Sequence, residues 1–230
     1  MKIFYIFLLG FLLSTAISAQ NVMTQSLVDF YRDFKTAQFT EGIGRAEKGI
    51  MGSPHENPDF VLGIVETNTN VRYENIPLRF NIYSNEMEFK TEEGQILVFA
   101  TPEVLEFIEM DGLRYIYTPY LIGNKLMRGY FKVITDGKAS LLLKQNVSFK
   151  QAELPQAYKD AEPARFIRTS DDFYVRLAPG EAHRITNKKE LLNILKDKNK
   201  EVDTYLSKNK IRFQRSEDLK SVIDYYNTLD

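Results

Sequence analysis

Cysteine is absent from the 230 residues of this chain, and so is tryptophan. Without cysteine the chain can form neither disulfides nor zinc–thiolate sites, it has no cysteine nucleophile, and it cannot be anchored through an acylated N-terminal cysteine. Without tryptophan it lacks the largest aromatic surface for stacking against sugars or bases. The fold must therefore depend on the burial of its apolar side chains.

Histidine is scarce, and the common catalytic motifs are missing. The two histidines, His55 and His183, lie far apart in the sequence, whereas zinc sites usually draw on clustered ligands. No Gly-x-Ser-x-Gly sequence, phosphate-binding loop or dinucleotide-binding glycine pattern occurs. The formal net charge of −1 gives no general attraction for nucleic acid. We therefore expect no catalytic residue, metal site, cofactor or nucleic-acid partner.

A long apolar run occurs only at the N-terminus. Lys2 precedes an apolar run from Ile3 to Leu13, and small residues follow as far as Ala19. This order is typical of a secretory signal peptide and predicts cleavage after Ala19, with Ser18 as the alternative. No later stretch approaches the roughly 20 apolar residues that a membrane-spanning helix requires. The sequence therefore predicts an exported chain without a transmembrane segment.

The most regular pattern lies in the segment Leu78 to Lys90. Apolar and polar side chains alternate there, which is the period of a strand with one buried face. The alternation shifts once, which predicts a two-residue hairpin loop at that point. The resulting register places Phe80 opposite Phe89 in the core and Asn81 opposite Glu88 in solvent. This segment therefore predicts a sheet over a core.

Turn signals divide the middle of the chain into further strands. Asp111-Gly112 and Asp136-Gly137 favour hairpins, because both residue types tolerate positive φ. The first of these turns sets Glu109 opposite Arg114, a favourable pair of opposite charges. The run from Ile96 to Ala100 is apolar on both faces and predicts a central strand.

These patterns predict four regions. Residues 1–19 are the signal peptide, residues 20–52 are a loosely ordered lead-in whose apolar spacing favours a short helix, and residues 53–180 are an antiparallel β domain. Residues 181–230 are a C-terminal helical subdomain, in which Asn187 and Glu190 have the spacing of a capping box. Strands followed by helices indicate an α+β fold: an antiparallel, hairpin-built curved sheet or partly open barrel followed by a small C-terminal helical segment.

Four short segments carry a resemblance to a known group of proteins. They are Gly52-Ser53-Pro54, the strands within Leu78 to Lys90, Ala164-Arg165-Phe166-Ile167-Arg168 and Asp224-Tyr225-Tyr226-Asn227. In these segments the chain resembles small exported, β-rich envelope proteins of Gram-negative bacteria that have no established activity. It departs from them at His55, where they more often carry an aromatic residue. The resemblance implies a location in the periplasm, at the outer membrane or outside the cell, and it carries over no catalytic residue.

Charged side chains are unevenly distributed. Between Glu86 and Asp111, eight acidic residues stand against one lysine; a solvated strand face explains them, although a glycosidase or calcium site also uses such carboxylates. Between Lys188 and Lys220, ten basic residues stand against six acidic ones, which predicts an exposed helical face or a surface that docks on anionic lipid or an acidic partner. The candidate interaction residues are Arg184, Lys188, Lys189, Lys196, Lys198, Lys200, Lys208 and Lys210.

Two functions fit these patterns. The first, which we favour, is a non-catalytic cell-envelope protein that binds a protein partner or an apolar or lipid ligand. The second is a hydrolase that acts on envelope glycan through two carboxylates of the acidic hairpins, one of them buried enough to raise its pKa. This hypothesis fails if Glu103, Glu106 and Glu109 are all exposed and far from any cleft. A deep apolar cavity would indicate a ligand carrier, whereas a filled interior would indicate a protein-interaction module.

Overall fold

A computed structural model describes residues 23–25, 29–30, 50–155 and 160–229. The predicted signal peptide and most of the predicted lead-in, including most of its short helix, lie outside these residues. Asp29 and Phe30 are helical, and the other described residues form thirteen strands followed by three α-helices at the end of the chain. This order confirms the predicted α+β class.

The elements have the following bounds. The strands are β1 (Met23–Gln25), β2 (Val61–Thr67), β3 (Val71–Asn81), β4 (Glu86–Lys90), β5 (Ile96–Val98), β6 (Leu105–Met110), β7 (Leu113–Ile122), β8 (Lys125–Thr135), β9 (Ala139–Lys144), β10 (Val147–Lys150), β11 (Arg165–Arg168), β12 (Asp172–Leu177) and β13 (Ala182–Ile185). The α-helices are α1 (Lys188–Ile194), α2 (Asn199–Lys208) and α3 (Ser216–Asn227), and short 3-10 turns span Pro102–Val104 and Lys196–Lys198. The predicted helical subdomain, residues 181–230, therefore begins with a strand of the sheet.

Five strands, β7, β8, β9, β12 and β13, close into a small barrel. Their neighbours are antiparallel except for β13 and β7, which pair in parallel and complete the ring. The interior is filled by Tyr120, Phe131, Leu142, Tyr174 and Ala182. The three aromatic rings meet edge to face, with centroids 5.0–5.6 Å apart, the geometry that aromatic quadrupoles favour. The barrel therefore has a packed interior.

Strands β7 and β8 also belong to a second, curved layer. The sheet continues from β7 through β6, β2, β3 and β4 to β5, and β1 adds to β3 in parallel. Because successive side chains of a strand point to opposite faces, Phe131 enters the barrel while its neighbour Tyr130 enters the core of the curved sheet. That second core contains Leu78, Phe80 and Phe89. The two cores thus share the β7–β8 hairpin as a common wall.

The alternation between Leu78 and Lys90 predicts the faces of β3 and β4 correctly, but the predicted register is wrong. Phe89 pairs with Leu78 and not with Phe80, and Asn81 pairs with Glu86. The connection is longer than two residues, because the Asn81 side chain accepts a hydrogen bond from Ser84 N at 3.1 Å and so holds a wider turn. A shift by two residues keeps every side chain on its face, so the buried set is unchanged.

Two further strand predictions have opposite outcomes. Glu109 lies opposite Arg114 across the β6–β7 hairpin, as the Asp111-Gly112 turn predicts. The run from Ile96 to Ala100 does not form a central strand, because β5 is the last strand of the curved sheet. Its apolar character has another cause: Phe99, just beyond β5, packs against Phe30 and the β4 side chain Phe89 with ring centroids 5.9 and 5.0 Å away.

The helices cover the outer face of the barrel. Leu141 faces the helices in the same cluster as Leu191 and Val222, whereas the next residue, Leu142, lies inside the barrel. One half of the predicted capping box is present, since Asn187 Oδ1 accepts from Glu190 N at 3.0 Å; the Glu190 carboxylate accepts instead from Thr186 N, at 2.7 Å, one residue before the N-cap. No helix in the described part of the chain combines the length and the apolar character needed to cross a membrane.

Candidate functional site

The loop of residues 51–59 covers the polar face of the β3–β4 hairpin. Its backbone bonds to the end of β3, where Ile82 N donates to Pro54 O at 2.9 Å and Glu56 N donates to Phe80 O at 3.1 Å. The cover changes the environment of two residues predicted to face solvent, because Asn81 is 5% exposed and Glu88 is 8% exposed. The prediction of a solvated face is therefore wrong at this end of the hairpin.

Glu88 is the centre of a buried polar cluster under this loop. Its Oε1 accepts from His55 Nε2 at 3.2 Å and from Asn81 Nδ2 at 3.0 Å. Its Oε2 accepts two hydrogen bonds from Arg79, one from Nε at 2.9 Å and one from Nη2 at 2.6 Å. Arg79 also donates to Pro58 O at 2.9 Å. The cluster thus ties two strands and the covering loop together.

The electrostatics of Glu88 indicate a structural role. Burial alone opposes ionisation, but the hydrogen bonds from His55, Arg79 and Asn81, together with the charge of Arg79, outweigh it and hold the pKa of Glu88 at about 2. A carboxylate in that state has no proton to give to a substrate at neutral pH. Each of its oxygens is already engaged by the protein. We conclude that this cluster stabilises the loop and is not a general acid.

Glu56, the next residue after His55, anchors the same loop to the shared hairpin. Its carboxylate accepts from Tyr115 OH at 2.5 Å, from Lys132 Nζ at 2.5 Å and from Gln145 Nε2 at 3.0 Å. Burial raises the pKa of Glu56, but the bonds from these partners lower it more, so that its net shift is downward. Within the ranges that the structure describes, no three acidic or histidine side chains are grouped to hold a metal ion.

A cleft of about 460 Å³ lies where the β3–β4 turn meets the β7–β8 hairpin. The two parts are joined by one side chain: Asn85 Oδ1 accepts from Tyr130 N at 2.8 Å, and Asn85 Nδ2 donates to Tyr130 O at 3.2 Å. Gly129 makes room for this contact, since a Cβ there would lie 2.4 Å from Asn85 Oδ1. The residues lining the cleft include Glu86, Met87, Phe99, Glu103, Tyr117, Tyr120, Met127, Arg128 and Tyr130.

Tyr130, a residue of the cleft's lining, has an unsatisfied hydroxyl. Tyr130 is 4% exposed, and its hydroxyl oxygen is buried without a hydrogen-bond partner among the described residues. Burial raises its pKa well above the ordinary value, and Tyr117, Glu103 and Glu86 act in the same direction. Buried polar groups normally have partners, and of the four described side-chain atoms without one, the Tyr130 hydroxyl belongs to a residue that lines this cleft.

We expect the Tyr130→Phe variant to be at least as stable as the parent protein. Removing a buried hydroxyl that has no partner removes a desolvation cost, so the free energy of unfolding should rise by roughly 1 kcal/mol. The matched control is Tyr115→Phe, which removes a hydroxyl bonded to Glu56 and should lower the same quantity by about 2 kcal/mol. Urea unfolding of both variants measures the free energy of unfolding. A clear loss of stability in Tyr130→Phe would contradict the claim that the Tyr130 hydroxyl has no hydrogen-bond partner.

The predicted interaction residues lie away from this cleft, on β13 and the helical segment. Arg184 of β13 pairs with Asp172 of β12, and Lys188 at the start of α1 pairs with Asp203 of α2 at 2.5 Å. Five of the others are exposed: Lys189, Lys196, Lys200, Lys208 and Lys210; Lys198 is half-buried. The structure therefore presents most of these charges to solvent but does not gather them around one pocket, and the interaction surface stays a prediction.

The acidic residues proposed for hydrolysis are not brought together. Glu103 is exposed and lines the cleft, whereas Glu106 is exposed and does not line it. Glu109 is half-buried and pairs with Arg114 at 3.6 Å. The acid that joins Glu103 in the cleft is Glu86, which the alternation predicts to be an ordinary solvated residue. Chain order alone does not relate these two acids to Tyr130.

Comparisons with known proteins give no further guide to this site. No family model, no curated protein and no solved structure matches the chain. The signal that sequence reasoning missed is Gly123-Asn124, the two-residue turn that sets Tyr117 opposite Tyr130 in the β7–β8 hairpin. That pairing brings two tyrosine rings to one face, with centroids 5.0 Å apart.

Proposed function

We propose that the protein is a non-catalytic, exported cell-envelope protein that binds a ligand, or a polar group of a partner, in the cleft between the β3–β4 turn and the β7–β8 hairpin. The observation that carries this proposal is the buried Tyr130 hydroxyl, which lacks a partner among the described residues. A volume of about 460 Å³ is within the range of small-molecule sites. The bound group would supply the missing hydrogen bond.

Two features favour binding over catalysis. Glu88 and Glu56 have lowered pKa values and are engaged by neighbouring side chains, so neither is suited to act as a general acid at neutral pH. The barrel interior is occupied by Tyr120, Phe131 and Tyr174, which disfavours a carrier of a whole lipid. A smaller ligand or a partner's side chain is the better match to an open cleft lined by polar and aromatic residues.

The hydrolase alternative retains one specific observation, because Glu86 and Glu103 line the same cleft. If it holds, purified protein should release soluble fragments from cell-envelope glycan, and Glu103→Gln should abolish that release. We expect no release by either form. If fragments are released and their release depends on Glu103, the function of the cleft is hydrolysis and not binding.

Native mass spectrometry of protein purified from its own cells tests the binding proposal. We expect an added mass on the parent protein and its loss in Ala100→Trp, because Ala100 lines the cleft and a large ring there would fill it. Thr101→Trp is the matched control, since Thr101 is the next residue, is exposed and does not line the cleft. An added mass that survives Ala100→Trp, or no added mass at all, would count against the proposal.

Export is proposed from the N-terminal sequence and has its own test. Mass analysis of protein from the cell envelope should show a chain that begins at Gln20, or at Ala19 if cleavage follows Ser18. Leu8→Arg places a charge in the apolar run and should leave the chain unprocessed in the cytoplasm. A parent chain that keeps Met1 and stays in the cytoplasm would overturn this part of the proposal.

A further inference from the structure

We infer that the cleft binds an organic cation, a primary ammonium group carried on a short apolar chain. This inference rests on the proposed function and deepens it by naming the chemistry of the ligand. Three independent features support it: the unpaired carboxylates of the cleft, its aromatic walls and the orphan Tyr130 hydroxyl.

The carboxylates of the cleft lack the partners that neighbouring acids have. Glu88 is clamped by Arg79 and Glu109 pairs with Arg114. Glu86 and Glu103 form no side-chain ion pair or hydrogen bond within the described ranges. Two carboxylates without ion-pair partners in the lining of a partly enclosed cleft contribute a potential that attracts a cation and repels an anion.

Arg128 offsets only one of these two negative charges. It lines the cleft but is exposed, and it forms no salt bridge with Glu86 or Glu103. Its charge acts on Tyr117, whose pKa it lowers against the larger upward effects of burial and Glu103. The charged residues of the lining are Glu86, Glu103 and Arg128, so two acidic side chains stand against one basic side chain. The lining therefore carries a net negative charge, which favours a cation over an anion.

The walls of the cleft suit the rest of such a ligand. Tyr117, Tyr120 and Tyr130 are among its lining residues, and Tyr117 is the one that is only half-buried. The negative face of an aromatic ring attracts an ammonium group placed over it. A protonated tyrosine hydroxyl has lone pairs that can accept an N–H bond from the same ammonium. Met87 and Met127 also line the cleft, and their flexible thioethers pack readily against an alkyl chain.

Three probes that share one alkyl tail test the inference by isothermal titration calorimetry. They are n-hexylammonium, 1-hexanol and hexanoate, which differ only in a positive, neutral or negative head group. We expect hexylammonium to bind about tenfold more tightly than hexanol, because only the cation gains from the rings and carboxylates. Hexanoate should bind most weakly. Equal or tighter binding of hexanol or hexanoate would overturn the inference.

Variants of the cleft locate the binding. Tyr130→Phe, Glu86→Gln and Glu103→Gln should each weaken hexylammonium binding about fivefold, the size of one exposed ion pair or one hydrogen bond. Glu106→Gln is the matched control: it removes the same charge three residues from Glu103 but outside the cleft, and it should change the affinity by less than about twofold. An unchanged affinity in all three cleft variants would show that the cation binds elsewhere and would overturn the inference.

The outcomes separate this inference from the proposed function. If Ala100→Trp removes the native added mass but hexylammonium does not bind, the cleft binds a ligand of another chemical class, and the inference of an organic cation is wrong. If hexylammonium binds with the expected variant pattern and no native added mass is found, the cation site stands, while the proposed native ligand in the cleft loses its support.

Discussion

Replacing Glu88 by glutamine is expected to lower the free energy of unfolding by about 3 kcal/mol, the lower end of the cost of breaking a buried ion pair. Glutamine keeps the shape of the side chain, so the loss reports the charge and not a cavity. Without the carboxylate, the guanidinium of Arg79 remains buried with a neutral partner, and the hydrogen bonds from His55 and Asn81 lose their charged acceptor. Urea unfolding monitored by tyrosine fluorescence or circular dichroism measures the change.

The chain offers a matched control for this variant. Glu109 also faces an arginine directly across a hairpin, Arg114, but the two side chains are 38% and 47% exposed, against 10% and 15% for Glu88 and Arg79. Exposed pairs contribute little, so Glu109→Gln should cost less than about 1 kcal/mol. Equal losses in the two variants would mean that burial by the loop of residues 51–59 does not govern the strength of the pair.

The pH dependence of stability follows from the same carboxylate. The pKa of Glu88 is lowered in the folded protein from 4.5 to about 2, so the folded state binds its proton less readily than the unfolded state. Its contribution is therefore complete above about pH 4.5 and is lost as the pH falls towards 2. Acid titration of Glu88→Gln should show a shallower fall in unfolding free energy across this window than the parent protein shows.

The Gly63→Ala variant is expected to lose about 3 kcal/mol of unfolding free energy, the upper end of the usual cost of overpacking. Gly63 lies in β2 between β3 and β6, and a Cβ there would be 2.4 Å from the Glu109 backbone oxygen and 2.7 Å from Leu78 Cδ1. The first contact is with backbone of the adjacent strand, so it cannot be relieved by a change of rotamer. The sheet must separate at this point.

Leu62→Ala is the control for Gly63→Ala, because Leu62 is the preceding residue of the same strand and is 66% exposed. It should change the unfolding free energy by no more than about 0.5 kcal/mol. Thermal unfolding compares the two variants. A Gly63→Ala protein as stable as the parent would show that β2 and β6 are not packed as closely as the structure places them.

The alternation of buried and exposed side chains along the strands is the part of this fold that the sequence predicts best. Alternation in β3 and β4 identifies the buried side chains because it depends only on local geometry. It does not fix the register, which depends on the turn that Asn81 and Ser84 form with each other. Closure of the barrel is harder still, because β13 and β7 are parallel and more than 50 residues apart, and no hairpin signal connects such strands.

The candidate site could not be predicted for a related reason. Tyr130 and Asn85 meet through side-chain-to-backbone bonds across 45 positions of the chain. A tyrosine on a strand predicts packing, and Tyr130 does pack against Tyr117. That its hydroxyl has no hydrogen-bond partner among the described residues can be seen only in the folded structure. In the same way, burial of Glu88 depends on a covering loop that carries no periodic signal of its own.

Carbon-13 NMR of protein labelled at the tyrosine ζ carbon tests the central claim most directly. Addition of hexylammonium should produce a saturable shift of the Tyr130 signal, assigned through Tyr130→Phe. The signal of Tyr226, which is buried among the helices and does not line the cleft, should stay unchanged. A Tyr130 signal that does not move, or one that moves together with that of Tyr226, would contradict the assignment of this cleft as the binding site.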